Sequence, residues 1–307
     1  MTRPSLNRPS LNHPSLNKKK GPSLNRLSVG KGVIPAGLPS DASWGMVERL
    51  AEAELMSRSL HRYLRGMWSI IEPGREFMDN WHIGAISEVL EAVTNFELKT
   101  VVINIPPRTT KSVTVCVAWP TWVWTRAQNE KTQALGAASR FLCTSHDGDL
   151  ATRDAVRSRR VIESEWYQQR WGHVFKLTTD QNVKTNYEND KTGHRVTETV
   201  GSSVIGKGGD YRIIDDPHKT ESQESDTVRE SKLSWLKEEF STRFIDPQRN
   251  GLVLIMQRIH ERDMSGFMLA EQWADYHLCI PMRYEAHRKI YIPRDPTKTL
   301  NYGFPTS

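Results

Sequence analysis

The chain has 307 residues, of which 37% are hydrophobic and 25% charged, enough to bury a full-sized core. No run of eighteen apolar residues occurs and no apolar segment follows the basic start, so a membrane span and a secretory leader are both excluded as readings. The three cysteines, Cys116, Cys143 and Cys279, are widely spaced without a CxxC pair, which argues against zinc and for a reducing compartment. The formal charge of +6 is uneven. Seven of the 42 basic residues precede the first acid, Asp41, and the other 35 face all 36 acids, so residues 32–307 carry −1. A basic-domain argument for nucleic-acid binding therefore applies to the first segment alone.

Residues 3–25 repeat PSLN four times with KKK before the last copy. A proline every few residues blocks helix and one leucine per repeat builds no core, so residues 1–39 are expected to be a disordered basic tail, either dispensable or an arm for DNA phosphates. Residues 40–98 read as a helical region. One helix runs from Ser40 or Ser43 towards Trp68 with Leu50, Leu55, Leu60 and Leu64 on its apolar side, and a second covers Phe77 to Val93. From residue 99 to 285 short apolar strands alternate with helices. The strands are Thr100–Ile105, Arg140–Ser145, His194–Val200, Tyr211–Asp215, Gly251–Gln257 and Tyr276–Ile280, of which His194–Val200 instead alternates polar and apolar residues as a half-exposed strand does; the helices are Val113–Trp124, Asp149–Glu163 and Ser225–Phe240. That alternation predicts an α/β fold with a mostly parallel central sheet flanked by helices. The Gly201–Asp210 segment, with four glycines and a lysine, reads as a hairpin ahead of the Tyr211 strand or as a flexible loop near DNA or phosphate, the hairpin being favoured, and Arg153, Arg157, Arg159 and Arg160 read as a solvated helix face.

Two segments carry chemistry. Ile105-Pro106-Pro107-Arg108-Thr109-Thr110-Lys111-Ser112 lies between a strand and a helix, with a lysine and a hydroxyl where a phosphate-binding loop needs them. Backbone N–H groups hold phosphate oxygens, the lysine neutralises them and the hydroxyl ligates Mg²⁺. Both glycines of the general pattern are missing, replaced by Ile105 and Thr110. About a hundred residues on, Tyr211–Asp216 is a short strand ending in two carboxylates, one suited to Mg²⁺ and the next to orienting a water. Loops at the carboxyl ends of parallel strands are where ligands of such sheets bind.

In order and spacing, IPPRTTKS, FLCTS, DYRIIDDPHK, STRFIDPQRNG and LIMQRIHERDMSG resemble the ATPase domains of tailed-phage large terminases, over roughly residues 75–285. The resemblance implies a RecA-like P-loop ATPase fold that uses ATP and Mg²⁺. It also implies work on double-stranded viral DNA as a homo-oligomeric ring on the portal protein with a small terminase subunit, in the host cytoplasm on the procapsid, outside the mature virion. By the same resemblance Pro107, Arg108, Thr109, Thr110, Lys111 and Ser112 form the ATP loop, Ser112 and Asp215 hold the metal, Asp216 activates water and Arg108 stabilises the transferring phosphoryl group. His82 falls at the position of an adenine contact, Gln257 at that of a nucleotide-state reporter, and Arg243 and Arg258 are arginine candidates for a neighbour's site. Terminases carry a further nuclease domain; residues 286–307 read as a linker without it, so no DNA cleavage is expected. A nucleotide- or DNA-binding assembly protein without turnover and a helicase-like ATPase stand as alternatives. The absence of a second RecA-like core weighs against the helicase.

Overall fold

The computed structural model describes residues 43–128, 134–178, 183–219 and 225–282, with the backbone of two short paired strands, Ile290–Tyr291 and Thr299–Leu300. Contacts divide the chain into Met1–Ser43 and Trp44–Ser307, and every described residue except Ser43 belongs to the second unit. The repeat tail and most of the C-terminal segment lie outside the described residues.

Three helices precede the sheet: α1 (Trp44–Ser57), α2 (Leu60–Ile71) and α3 (Trp81–Thr94). The single helix expected up to Trp68 is instead broken in two. Ser59 adopts extended backbone (φ −143°, ψ 115°) and its hydroxyl accepts from the Arg62 N–H, so it ends one helix and caps the next. The break rotates the second half so that Leu60, Tyr63, Leu64, Met67 and Ile71 are buried, while Leu55 on α1 stays exposed.

Next come β1 (Thr100–Asn104) and a helical stretch that is not uniform. Val113–Ala118 winds as a π-helix and continues as α4 (Trp119–Val123). Pro120 gives a reason. It has no N–H to offer the Cys116 carbonyl four residues back, and the Trp119 N–H bonds to Thr114, five residues back. The Cys116 carbonyl accepts instead from the Arg195 guanidinium at 3.3 Å. The remaining elements are β2 (Phe141–Ser145), α5 (Gly148–Glu163), α6 (Glu165–Trp171), β3 (Tyr187–Glu188), β4 (His194–Thr199), β5 (Tyr211–Asp215), α7 (Asp226–Glu238), β6 (Gly251–Met256), α8 (Met264–Ala270) and β7 (Tyr276–Cys279).

The seven strands form one sheet in the order β3-β4-β2-β5-β6-β1-β7, parallel throughout except for the edge pair β3–β4. Helices cover both faces, so the central strands are continuous apolar runs whose alternate residues enter two different cores. Val101, Ile103, Phe141, Tyr211, Ile213, Val253 and Ile255 join a core with α1 to α6; Val102, Leu142, Ile214, Leu252, Leu254 and Met256 join a second with α7 and α8. The chain thus adopts the expected α/β architecture, a mostly parallel central sheet flanked by helices.

Three local expectations are corrected. Gly201–Asp210 is not a hairpin, because β4 and β5 lie on opposite sides of β2 and run parallel to it. Gly209 nevertheless has a structural reason: a Cβ there would sit 2.9 Å from the Leu142 nitrogen. In β4 the polar side of the alternation is the buried one, with Arg195 only 1% exposed. The arginines of α5 are only partly a solvated face, since Arg157 bonds Glu72 at 3.0 Å and Arg153 reaches the buried Asp154 at 2.9 Å. Arg212, which interrupts the β5 run, is buried against the Phe240 and Ser241 carbonyls and Asn250, and burial pulls its guanidinium down to about 10. No helix among the described residues is long and apolar enough to cross a membrane.

Candidate functional site

Because β1, β2, β5 and β6 are parallel, the loops that leave their carboxyl ends gather along one edge. The loop after β1 begins with Ile105, buried and bonded through its N–H to the Met256 carbonyl at 3.2 Å, which extends the ladder with β6. Arg108 (φ 62°) and Thr110 (φ 66°) then take the left-handed conformation. For a β-branched residue this is a strained choice, costing about 1–3 kcal/mol. Thr110 stands where the general pattern has glycine, and its backbone does what a glycine would do without strain. Local bonds hold the turn. The Thr109 hydroxyl donates to the Pro106 carbonyl (2.8 Å), and His82 Nε2 meets the Thr109 carbonyl (3.1 Å). Thr114 donates both its N–H (2.9 Å) and its hydroxyl (3.0 Å) to the Thr110 carbonyl.

Opposite this loop, separated from it by β6, stand the two carboxylates that end β5. Lys111, 5% exposed, places its ammonium 2.5 Å from Asp216 Oδ1. The same oxygen accepts from the Gln257 N–H at 3.3 Å. Asp216 also has a left-handed backbone (φ 42°); its N–H donates to the Ile255 carbonyl (2.9 Å) and its own carbonyl accepts from His146. Asp215 is buried. The Ser112 hydroxyl donates to it and the Cys116 thiol lies 3.7 Å from Oδ2, but Oδ1 has no partner. Burial first, then the adjacent Asp216 charge, pushes the Asp215 carboxyl up to about 7.

Cys116, Asp154 and Asp215 bring a ligand atom each within 4.8 Å of one another. Burial pushes the Cys116 thiol well up and the buried Arg195 bonds the Cys116 carbonyl, so that side of the cluster is a poor cation site. Ser112 and the unpartnered oxygen of Asp215 fit a hard divalent ion such as Mg²⁺.

Gln257, half-buried just beyond β6, lines with Pro107, Arg108, Ile259 and Met282 an open cleft of about 680 Å³. Arg258 is engaged nearby: its Nε donates to Asp263 (3.0 Å) and its Nη2 to the His260 and Glu261 carbonyls. Arg243 lies elsewhere. Its carbonyl accepts from the Gly209 N–H, ahead of β5, which is the amino edge of the sheet; its Nε donates to the Glu239 carbonyl. Within one chain it does not join this cluster. Residues that sequence reasoning missed are His146, directly after β2, Cys116 and Asp154 beneath Asp215, and His218 and Asp263 at the start of α8. His218 Nε2 accepts from the Met264 N–H at 3.0 Å, joining the loop after Asp216 to the start of α8. Only His146 had a usable signal, its place at the carboxyl end of a strand.

Fold and site together define an α/β domain in which a strained, lysine-bearing loop faces paired carboxylates across one intervening strand. Among solved structures, the chain is similar to the crystal structure of the HK97 bacteriophage large terminase, with 10% identity and a TM-score of 0.42 over 74% of this chain and 46% of that one. It spans about half that protein's length. No protein-family model matches the sequence, and no curated protein matches it. The fold is carried by strand order and register.

Proposed function

We propose that this chain is an ATP-hydrolysing motor domain of the large-terminase kind. The observation that supports the reading best is the convergence of Lys111, Ser112, Asp215 and Asp216, two segments about a hundred residues apart, on one cluster at the carboxyl edge. In this reading the N–H groups from Arg108 to Ser112 cradle the phosphates and Lys111 leaves Asp216 to neutralise them. Ser112 and Asp215 hold Mg²⁺, which when bound supplies charge neutralisation at the phosphate oxygens. Asp216, released from Lys111, orients the attacking water, while Arg108 faces charge that develops in the transition state. Gln257, whose N–H already touches Asp216, passes the state of the site to the loop before α8. His82 braces the loop, and Arg243 and Arg258 serve contacts between neighbouring copies. The wider reading is a ring on a portal protein, with a small terminase subunit, that drives double-stranded viral DNA into a procapsid in the host cytoplasm.

Phosphate release and nucleotide affinity test it. Lys111→Ala is expected to lose nucleotide affinity, whereas Asp216→Asn keeps it and loses most hydrolysis. Equal loss of affinity in both would show that Asp216 is not the water-orienting acid. The strained Thr110 favours one second reading, a nucleotide-binding assembly protein without turnover. Absence of phosphate release, with and without DNA, from a protein that binds ATP would establish that alternative.

A further inference from the structure

The residue after β2, His146, is used by none of the roles above, yet it grips the residue most important to them. β2 pairs with β5 in parallel register, Ser145 opposite Asp215, so the next pair along the edge is His146 and Asp216. The Asp216 carbonyl accepts twice from this one residue: from the His146 main-chain N–H at 3.3 Å and from its ring Nδ1 at 2.7 Å. The first bond continues the ladder. The second, shorter one is additional, and because a carbonyl only accepts, Nδ1 carries the hydrogen. Asp216 needs such a hold, since its backbone leaves the strand at φ 42°, a conformation that a residue other than glycine keeps only when its surroundings impose it.

We propose that His146 is a positioning residue that fixes the Asp216 backbone while its carboxylate changes partners. This rests on the hydrolytic reading above. In the present state the carboxylate is shared between the Lys111 ammonium and the Gln257 N–H. When Lys111 turns to a phosphate, that share is lost, and the two bonds to the main-chain carbonyl keep Asp216 aimed. His146 bonds to Asp216 and not to the loop of Lys111 and Ser112, so its loss leaves nucleotide binding intact and slows turnover.

The test compares His146→Ala, His146→Phe and His146→Asn. The asparagine Nδ2–H takes roughly the place of the ring Nδ1–H. Ala and Phe are expected to lower kcat by about ten- to a hundredfold with ATP affinity changed less than about twofold, and Asn to recover most of kcat. Equal kcat in Ala and Asn, or a parallel loss of affinity and thermal stability in all three, would assign His146 a structural role only and overturn the proposal. A second readout is independent of hydrolysis. In ring ¹⁵N–¹H correlation spectra at pH 8, wild-type His146 is expected as the Nδ1–H tautomer, unchanged by Asp216→Asn because the acceptor is the main chain. An Nε2–H tautomer overturns the proposal. A wild-type protein that binds ATP without hydrolysing it, yet shows the Nδ1–H tautomer, overturns the hydrolytic reading and leaves the His146–Asp216 bond standing.

Discussion

Two buried aspartates, each following or ending a central strand, are treated in opposite ways. Asp263, 0% exposed at the N-cap of α8, has both oxygens saturated: Oδ2 accepts from the Ile259 N–H (3.1 Å), the His260 N–H (3.3 Å) and Arg258 Nε (3.0 Å), and Oδ1 from the Gly266 N–H (2.8 Å). Asp215, at the end of β5, is also buried but keeps Oδ1 without a partner and lies beside a second carboxylate. Folding alone selects the first arrangement and opposes the second, because an unsatisfied buried polar group destabilises the native state. A site that must receive a cation needs an oxygen left over. The contrast therefore separates a residue that builds the edge from one that the edge exists to present.

The largest expected effect breaks the saturated side. Asp263→Ala strips the cap of α8 and leaves Arg258 and three backbone donors short of their acceptor, a loss of about 3 kcal/mol. Gly266→Ala attacks the same turn sterically, since a Cβ there would collide with the Glu261 carbonyl oxygen, and should destabilise by about 1–3 kcal/mol. Urea midpoints measure both. If Asp263→Ala unfolds within about 0.5 kcal/mol of wild type, the saturation has no energetic meaning and the contrast collapses.

The next effect runs the other way. Asp215→Asn is expected to raise stability at pH 8 by about 1–3 kcal/mol, since it removes a buried charge, and, on the proposed function, to abolish hydrolysis. The pH dependence fixes the sign. With a folded value of about 7 against about 3.9 unfolded, the native state binds more protons between those limits, so this carboxyl opposes folding increasingly as pH rises through the window. The stability gap between variant and wild type should therefore be small near pH 4 and full above pH 7. A gap independent of pH would show that the Asp215 carboxyl titrates alike in the folded and unfolded chain, so that its burial leaves no mark on folding.

Much of this was legible in the sequence because it is local. Each central strand is a short apolar run, and Lys111, Ser112, Asp215 and Asp216 could be named from their places at the ends of two of them. What escaped depends on neighbours that a single strand's pattern does not contain. In β4 the alternation of polar and apolar residues suits a half-exposed strand but does not show which side is covered, and it is the polar Arg195 that is buried, filling the gap that Pro120 opens at the Cys116 carbonyl. Gly201–Asp210 has hairpin composition, yet β2 comes between the strands it joins. The Ser59 break is a cap inside a continuous helical pattern, visible only once the second half has a core to turn towards. His146 and Asp263 act on groups 70 residues away and within a tight turn, respectively, and neither lies in a periodic signal.

The smallest effect concerns two histidines at opposite edges of the sheet. His82 sits against the Thr109 carbonyl at the loop, and His194 against the Gly208 carbonyl ahead of β5. In both, burial is the main cause and holds the ring below its ordinary range. A histidine depressed in the folded state binds its proton more weakly there than in the unfolded chain, whose value is about 6.5. Each therefore contributes stability above that pH and loses it as pH falls through about 6.5 towards the folded value. Glu91, Asp210 and Asp215, all raised by burial, act with the opposite sign, so the measurement is the difference between each variant and wild type. His82→Gln and His194→Gln should each narrow their stability deficit, or gain on wild type, as the solution is taken from neutral to mildly acidic pH. On the same acidification the amides of the Arg108–Thr110 turn should lose less exchange protection in the His82 variant than in wild type, because the strained turn no longer depends on a neutral imidazole. Difference curves flat across that range would mean that neither ring is buried enough to titrate against folding, and that the polar edge is no more acid-sensitive than the rest of the sheet.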